Sequence, residues 1–238
     1  MQIKIIKCLQ DNYSYIIIDN NNNACVVDPS ESDPVIKYLE ENKINLKFIL
    51  NTHHHYDHVG GNKELKKKYN AKVLGYINDK ERIPEIDIFL KNKEIWNTDS
   101  FKFQIFHIPG HTSGHICYYF IDEKFLFTGD TLFSLGCGRI FEGTYEQMFS
   151  SLQLFKSFPK DTKIFCGHEY TLKNSEFCKK YDPKNKKLDN RILEIKNILS
   201  KGLPTIPTTI EDELDCNIFL RSGDLETFSK LRDLKDNF

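Results

Sequence analysis

The chain has 238 residues, enough for one large domain or one domain with a small appendage. Its 33 Lys and Arg residues balance 34 Asp and Glu residues, whereas a general nucleic-acid-binding protein usually carries a basic excess. No stretch approaches the roughly 20 apolar residues of a membrane helix, and the start lacks the apolar run of a signal peptide. The seven cysteines are odd in number and contain no Cys-x-x-Cys pair, which favours free thiols. The sequence therefore predicts a cytoplasmic protein without a membrane or nucleic-acid partner.

The predicted elements change in character along the chain. Short apolar or alternating runs predict strands near residues 3–5, 15–18, 24–27, 48–50, 101–105, 116–120, 125–127 and 164–166. Asp33 followed by Pro34 is typical of a helix N-cap and first turn, and a Lys-rich helical stretch starts at Asn62.

After about residue 171 the strand patterns disappear and apolar residues recur at helical spacing. Two apolar stripes are formed by Ile192, Ile195 and Leu199 and by Leu225, Phe228, Leu231 and Leu234. Gly202 is a plausible end for the first of these helices. We therefore predict an α/β domain over residues 1–170 and a small helical domain over residues 171–238.

Four of the predicted strands end in a loop that contains His or Asp. The densest cluster is His53-x-His55-x-Asp57-His58, and the later ones are His111, Asp130 and His168. Loops at strand ends are where folds commonly place chemistry. The residues His54, His107 and His115 are interpreted as ordinary core or surface residues, with the alternative that His115 orients a ligand.

The clustered residues and the three later ones have the chemistry of metal ligands. They are His53, His55, Asp57, His58, His111, Asp130 and His168. One catalytic ion normally takes three protein ligands and keeps a position for water, so seven ligands exceed the need of one ion. They suit two ions with three ligands each and one shared carboxylate. Imidazole and carboxylate ligands without thiolate are compatible with Zn²⁺, Fe and Mn.

The cluster lies in a recognisable motif. Thr52-His53-His54-His55-Tyr56-Asp57-His58-Val59-Gly60-Gly61-Asn62 resembles the metal signature of the metallo-β-lactamase superfamily. Further segments resemble glyoxalase II, the hydroxyacylglutathione hydrolase family, and span nearly the whole chain. They are Asp11-Asn12-Tyr13-Ser14-Tyr15, His111-Thr112-Ser113-Gly114-His115, Thr128-Gly129-Asp130-Thr131-Leu132-Phe133, Cys166-Gly167-His168-Glu169-Tyr170-Thr171 and Lys235-Asp236-Asn237-Phe238.

The resemblance implies an α/β fold, an αββα metallo-β-lactamase sandwich followed by an all-helical substrate-binding domain. It also implies a partition of the ligands: His53, His55 and His111 on one ion, Asp57, His58 and His168 on the other, and Asp130 between them. Asp57 and Asp130 would be the catalytic carboxylates. The implied substrate is a small-molecule glutathione thioester, typically S-D-lactoylglutathione, which is cleaved to glutathione and D-lactate.

This chemistry is reasonable for two divalent ions, with Zn²⁺ expected first and Fe or Mn as alternatives. Two ions roughly 3.5–4 Å apart can share one water and lower its pKa toward neutrality, so that hydroxide attacks the thioester carbonyl. The leaving thiol has a pKa of about 8.5, so the thiolate departs without a dedicated general acid.

The expected substrate-binding residues depart from the family pattern at two positions. Arg139 stands where the family has Lys, and Phe141 stands where it has Tyr. Tyr170, Arg232 and Lys235 match the family. For Arg232 and Lys235 the alternative interpretation is a solvated helix face.

Two other functions compete with thioester hydrolysis. The first is another hydrolase of the superfamily, although a tRNA-processing nuclease would need a more basic chain and a persulfide dioxygenase would lack the second metal site. The second is a non-catalytic module on this fold, which would be expected to have lost some of the ligands.

Overall fold

The computed structural model describes the whole chain, which divides into two compact units. Unit 1 consists of Met1–His107 and Gly114–Glu123, and unit 2 consists of Ile108–Ser113 and Lys124–Phe238. The domain boundary predicted after residue 170 lies inside unit 2. None of the helices is long and apolar enough to cross a membrane.

Unit 1 is built around a six-stranded mixed sheet. Its strands, in spatial order, are β1 (Gln2–Cys8), β2 (Asn12–Ile18), β3 (Asn23–Val27), β4 (Asn45–Leu50), β5 (Lys72–Tyr76) and β6 (Ile88–Leu90). The pairs from β1 to β3 are antiparallel and those from β3 to β6 are parallel. Every residue of β2 is buried, which explains its nearly continuous apolar run. Unit 1 also contains the antiparallel meander of β7 (Ile95–Asn97), β8 (Lys102–His107) and β9 (Ile116–Phe120).

The helices of unit 1 pack apolar residues onto this sheet. They are α1 (Ser32–Glu41), α2 (Tyr56–Val59) and α3 (Asn62–Tyr69). Val35 and Leu39 of α1 and Leu65 of α3 are fully buried in one core cluster with residues of the sheet. The prediction of Asp33 as N-cap is wrong, because the helix begins at Ser32 after Glu31. Asp33 instead lies in the first turn, where the helix dipole favours a carboxylate.

Unit 2 contains five short strands and most of the helices. Strands β10 (Phe125–Gly129) and β13 (Lys163–Cys166) are parallel, and the two-residue β14 (Thr208–Thr209) pairs antiparallel with β13. A short hairpin joins β11 (Leu132–Phe133) to β12 (Gly136–Cys137). The helices are α4 (Tyr145–Phe155), α5 (Thr171–Tyr181), α6 (Lys186–Ser200), α7 (Ile210–Cys216) and α8 (Leu225–Asp236).

The two predicted helical stripes have different outcomes. The first lies in α6, where Ile195 is buried and Gly202 follows the helix end with a left-handed φ of +69°. The second is partly wrong, because Leu234 is exposed whereas Phe228 and Arg232 are the buried residues of α8. A spacing of four residues places Phe228 and Arg232 on the same helix face. The inner face of α8 therefore carries a guanidinium group, which an apolar stripe does not predict.

Candidate metal centre

The first group of candidate ligands lies in the loop after β4 of unit 1. His53 follows the buried end of β4, and α2 places Asp57 and His58 in a single turn. Nε2 of His53 lies 3.1 Å from Nδ1 of His55, and Nε2 of His58 lies 3.6 Å from Oδ2 of Asp57. His53 and His58 are buried, whereas His55 and Asp57 are partly exposed. The structure thus brings these four predicted residues into one compact loop.

Asp28, at the end of β3, orients two of these histidines. Its carboxylate accepts hydrogen bonds from the backbone N–H of Thr52 (2.7 Å) and from the Thr52 hydroxyl (2.6 Å), and it lies 3.0 Å from Nδ1 of His58. Since the Thr52 hydroxyl donates its single hydrogen to Asp28, it accepts one from Nδ1 of His53 at 3.0 Å. Both histidines therefore carry a proton on Nδ1 and a lone pair on Nε2, which is the state a metal ligand requires.

Two asparagines hold the rest of the loop. The side-chain amide of Asn12 donates to Oδ2 of Asp57 at 3.0 Å and to the Asp57 carbonyl at 3.1 Å. The amide of Asn51 donates to the carbonyl of His58 at 3.1 Å. The interpretation of the sequence missed these supports and Asp28. Asn12 belongs to one of the family segments, but that resemblance does not reveal the hydrogen bonds it makes.

The second group of candidate ligands lies in unit 2, where three separate loops meet. Asp130 follows β10, and His168 follows β13. Oδ2 of Asp130 lies 3.5 Å from Nε2 of His111 and 3.2 Å from Nε2 of His168. Nδ1 of His111 donates to the backbone carbonyl of Arg139 at 2.9 Å, which leaves the Nε2 lone pair directed at Asp130.

Divalent metal ions fit these donor atoms. Ligand bonds of about 2.0–2.2 Å in a tetrahedral arrangement place two ligand atoms roughly 3.4 Å apart. The four measured separations, two in each unit, are 3.1, 3.6, 3.5 and 3.2 Å. The nitrogen and carboxylate donors are those that Zn²⁺, Fe and Mn accept.

The remaining histidines have other neighbours. Nδ1 of His54 lies 3.3 Å from the buried carboxylate of Asp79, and His107 stacks on Tyr76 with ring centroids 4.6 Å apart. The ring of His115 stacks on that of His53 at 4.6 Å with an angle of 18°. His115 is thus placed to orient a candidate ligand, which was the alternative interpretation of its role.

The five predicted substrate-binding residues lie in unit 2 and differ in exposure. Phe141 is 61% exposed and its ring lies 5.1 Å from that of His111. Tyr170 stacks on His168 at 4.7 Å with an angle of 5°. The Arg139 side chain is exposed, and its Nε lies 3.6 Å from Oδ1 of Asp236.

The two C-terminal cations are less exposed than a solvated helix face would be. Arg232 is only 3% exposed, and it donates to the carbonyl of Cys137 at 2.8 Å and to Asp236 at 2.9 Å. Lys235 is half-buried, with Nζ 5.1 Å from the ring centroids of Phe177 and Phe238. Burial, reinforced by the charge of Arg232, lowers the pKa of Lys235 to about 8.

Comparison with known proteins identifies the superfamily of the chain. Residues 9–168 match the family described as the metallo-β-lactamase superfamily. Among solved structures, the chain is similar to the BLEG-1 B3 metallo-β-lactamase, with a TM-score of 0.73 and 22% identity over 93% of this chain and 100% of the other. It is also similar to ETHE1 from Myxococcus xanthus, with a TM-score of 0.75 and 23% identity over 98% of this chain and 90% of the other. The predicted α/β class and metallo-β-lactamase fold are therefore confirmed, and the chain belongs to the metallo-β-lactamase superfamily.

The sequence relatives narrow the assignment. Residues 169–238 match the family described as the hydroxyacylglutathione hydrolase C-terminus. The hydroxyacylglutathione hydrolase of Pelagibacter ubique is 65% identical over 100% of both chains. That of Prochlorococcus marinus strain MIT 9301 is 44% identical over 97% of this chain and 94% of its own. The chain belongs to the hydroxyacylglutathione hydrolase family.

Proposed function

We propose that this enzyme hydrolyses the thioester of S-(2-hydroxyacyl)glutathione, typically S-D-lactoylglutathione, to glutathione and a 2-hydroxy acid. Family membership supports the reaction class. The observation that carries the proposal is the position of Asp130, whose single oxygen Oδ2 lies within 3.5 Å of Nε2 of both His111 and His168. A carboxylate that faces two ligand histidines is suited to lie between two ions.

The proposed centre holds two ions, with Zn²⁺ expected first and Fe or Mn as alternatives. The ligands are carried over from the resemblance: His53, His55 and His111 for one ion, Asp57, His58 and His168 for the other, and Asp130 shared. The tautomers deduced for His53, His58 and His111 support the assignment, because each one leaves Nε2 free of a proton. When bound, the ions would lower the pKa of a water molecule and polarise the thioester carbonyl.

The side chains of the protein prepare this reaction. Asn12 donates to Oδ2 of Asp57 and so fixes the orientation of the carboxylate that is proposed to accept a hydrogen bond from the attacking water. Asp28 holds His58 directly and His53 through Thr52, so the ligands need not reorganise during turnover. The departing glutathione thiolate needs no proton donor, because a thiol with a pKa of about 8.5 is a good leaving group.

We also propose that Arg139, Phe141, Tyr170, Arg232 and Lys235 bind the glutathione part of the substrate. Arg139 and Lys235 offer positive charge to its carboxylates. Arg232 adds charge from a buried position while it holds the Cys137 carbonyl. Phe141 and Tyr170, whose rings lie against His111 and His168, provide apolar surface close to the ligands.

Two organisational proposals accompany this function. The first is that residues 1–170 form the catalytic domain and residues 171–238 the substrate-binding domain; the two family matches, which meet between residues 168 and 169, support it. The second is a cytoplasmic location, which the seven free and buried cysteines support.

A direct assay tests the proposed function. Purified protein is mixed with S-D-lactoylglutathione, and the loss of thioester absorbance is compared with that of a β-lactam and of a thioester without glutathione. The proposal expects rapid hydrolysis of the glutathione thioester and a much lower kcat/KM for the other two. Preference for the β-lactam would favour another hydrolase of the superfamily, and inactivity with metal bound would favour a non-catalytic module.

A further inference from the structure

The turn between β11 and β12 in unit 2 is held by buried side chains from two helices. Residues 134–136 are buried, so their backbone N–H and C=O groups need hydrogen-bond partners within the protein. Asn174 of α5 donates to the carbonyl of Ser134 at 3.0 Å, and Cys178 donates to that of Leu135 at 3.1 Å. The N–H of Leu135 donates to Glu213 of α7 at 2.8 Å, and Asn217 donates to the carbonyl of Gly136 at 3.0 Å.

Glu213 and Asn217 form the core of this arrangement. Glu213 lies on α7 and Asn217 is the residue that follows the helix end, four positions later. Both are fully buried, and the Asn217 amide donates to Glu213 at 2.9 Å. The hydroxyl of Thr208 donates to the other oxygen of Glu213 at 2.7 Å. Burial raises the pKa of Glu213 to about 6, so the carboxylate predominates at neutral pH. Such a buried acid is costly unless its donors are in place, which gives the turn a defined geometry.

The held turn also imposes a strained backbone. Leu135 has a left-handed φ of +58°, which residues with a side chain rarely adopt. Its side chain is fully buried, and its N–H and carbonyl are bound by Glu213 and Cys178. Without these partners the turn would be expected to relax to a commoner conformation.

The chain beyond this turn contacts two candidate metal ligands. We define the strap as residues 134–141. A Cβ on Gly138 would lie 1.9 Å from the carbonyl of Asp130 and 3.3 Å from Nδ1 of His111, so the strap backbone packs directly on both residues. The Arg139 carbonyl accepts the Nδ1 hydrogen of His111, and the N–H of Phe141 donates to the His111 carbonyl at 3.2 Å. Displacement of the strap would therefore shift His111 and Asp130.

We propose that Glu213 and Asn217 are positioning residues that act through the strap on His111 and Asp130 and thereby set the affinity of the metal centre and its rate of thioester hydrolysis. The proposal rests on the proposed function for the rate. The proposed effect on metal affinity does not depend on which substrate the enzyme hydrolyses.

The test compares three variants with one matched control. Glu213→Ala and Asn217→Ala remove the contacts to the turn. Glu213→Gln keeps them, because its oxygen accepts from Leu135 and Asn217 while its amide donates to the Thr208 hydroxyl. Glu211→Gln, at an exposed position of the same helix, is the control for a lost charge on α7.

Three measurements are made on each protein: metal affinity by competition with a chelator, amide hydrogen exchange of the segment 131–141, and kcat and KM for S-D-lactoylglutathione. We expect the alanine variants to lose about 10- to 100-fold in metal affinity and kcat, as removal of a group that supports a ligand commonly does. Hydrogen exchange should rise selectively in the segment 131–141. Glu213→Gln and Glu211→Gln should stay within about threefold of the unmodified protein.

The outcomes separate the proposal from simpler explanations. Folded alanine variants with unchanged metal affinity and unchanged exchange in the strap would overturn it, and so would loss of thermal stability alone. If the alanine variants fail to fold, Asn174→Ala is measured instead, because it removes one hydrogen bond to the same turn. We then expect a smaller loss of metal affinity, about two- to fivefold, and unchanged affinity and exchange would again overturn the proposal. If the unmodified protein does not hydrolyse the thioester but metal affinity and exchange respond as described, the proposed function fails and the positioning role stands.

Discussion

The two groups of candidate ligands are supported in different ways. In unit 1 the four residues come from six consecutive positions, and the side chains that hold them lie at strand ends of the same sheet. In unit 2 the three residues come from three distant loops, and the backbone of the strap packs against two of them, His111 and Asp130. That strap is fixed in turn by helices near the C-terminal end. The ligands of the first group are local in sequence and their supports lie up to 45 positions away, whereas the second group depends on contacts between residues up to about eighty positions apart.

The two groups therefore differ in what keeps their ligand side chains in position. A local cluster retains most of its geometry when one distant contact is lost, because the short loop limits where each side chain can go. A dispersed cluster depends on every element that positions its loops. Substitutions in unit 2 that lie far from the ligands are therefore expected to reduce metal binding more often than those in unit 1.

The largest expected effect is that of Asp130→Ala, which removes the most central residue of the dispersed group. Loss of one preorganised electrostatic partner typically lowers kcat by about 10²–10³, and Asp130 faces two ligand histidines. We expect kcat to fall by at least about 10³-fold, more than for His53→Ala or His168→Ala, as measured by steady-state kinetics. Near-normal kcat with two ions still bound would refute the shared position of Asp130.

Asp28→Asn tests the support within the local group. Asparagine has the same size and tolerates the left-handed φ of Asp28, but its amide replaces the oxygen that faces Thr52 and His58 with a donor. We expect a loss of about 10- to 100-fold in metal affinity, measured by chelator competition. Asp33→Asn, at an exposed position on α1, serves as the control and should behave like the unmodified protein.

Lys235 provides a pH-dependent test of substrate binding. Its pKa is lowered to about 8, so the ammonium is charged below that pH and neutral above it. If it binds a substrate carboxylate, KM for the glutathione thioester should rise roughly fivefold between pH 7 and 9, with little change in kcat. Lys235→Arg remains charged and should show a flat profile, whereas Lys235→Ala should have the high KM throughout. A parallel rise in the Arg variant would assign the titration to another group.

Phe141→Tyr has the smallest expected effect. It restores the hydroxyl found in the family, and one neutral hydrogen bond contributes about 0.5–1.5 kcal/mol. Since Phe141 is exposed and beside His111, the new hydroxyl meets substrate or solvent without steric conflict. KM should decrease by about two- to tenfold. An unchanged or higher KM would place the ring outside the substrate-binding surface.

The sequence predicts the ligands better than their supports. His53, His55, Asp57 and His58 are recognisable because ligand spacing is a local pattern, and the strands that deliver Asp130 and His168 have clear apolar runs. Asp28 and Glu213 were not identified, since a single acid in a sequence carries no sign of the hydrogen bonds it accepts. Arg232 shows the same limit: its charge suggested an exposed residue, whereas its carbonyl and Asp236 partners allow it to be buried.

The short elements were also missed. Strand β14 contains only two residues, and its pairing with β13 is determined by tertiary structure rather than by an apolar pattern. The fold class nevertheless followed from the long strands and from the resemblance, because these depend on runs of residues rather than on single contacts.

A metal centre with two ions is the central feature of the proposed thioester hydrolysis. Protein stripped of metal with a chelator is titrated with Zn²⁺ or Mn²⁺, while bound metal and the hydrolysis of S-D-lactoylglutathione are measured on the same sample. We expect activity to be lost on stripping and to return in full as the second equivalent of metal binds. Full turnover by protein with only trace metal, or full activity at one equivalent with no further binding, would contradict it.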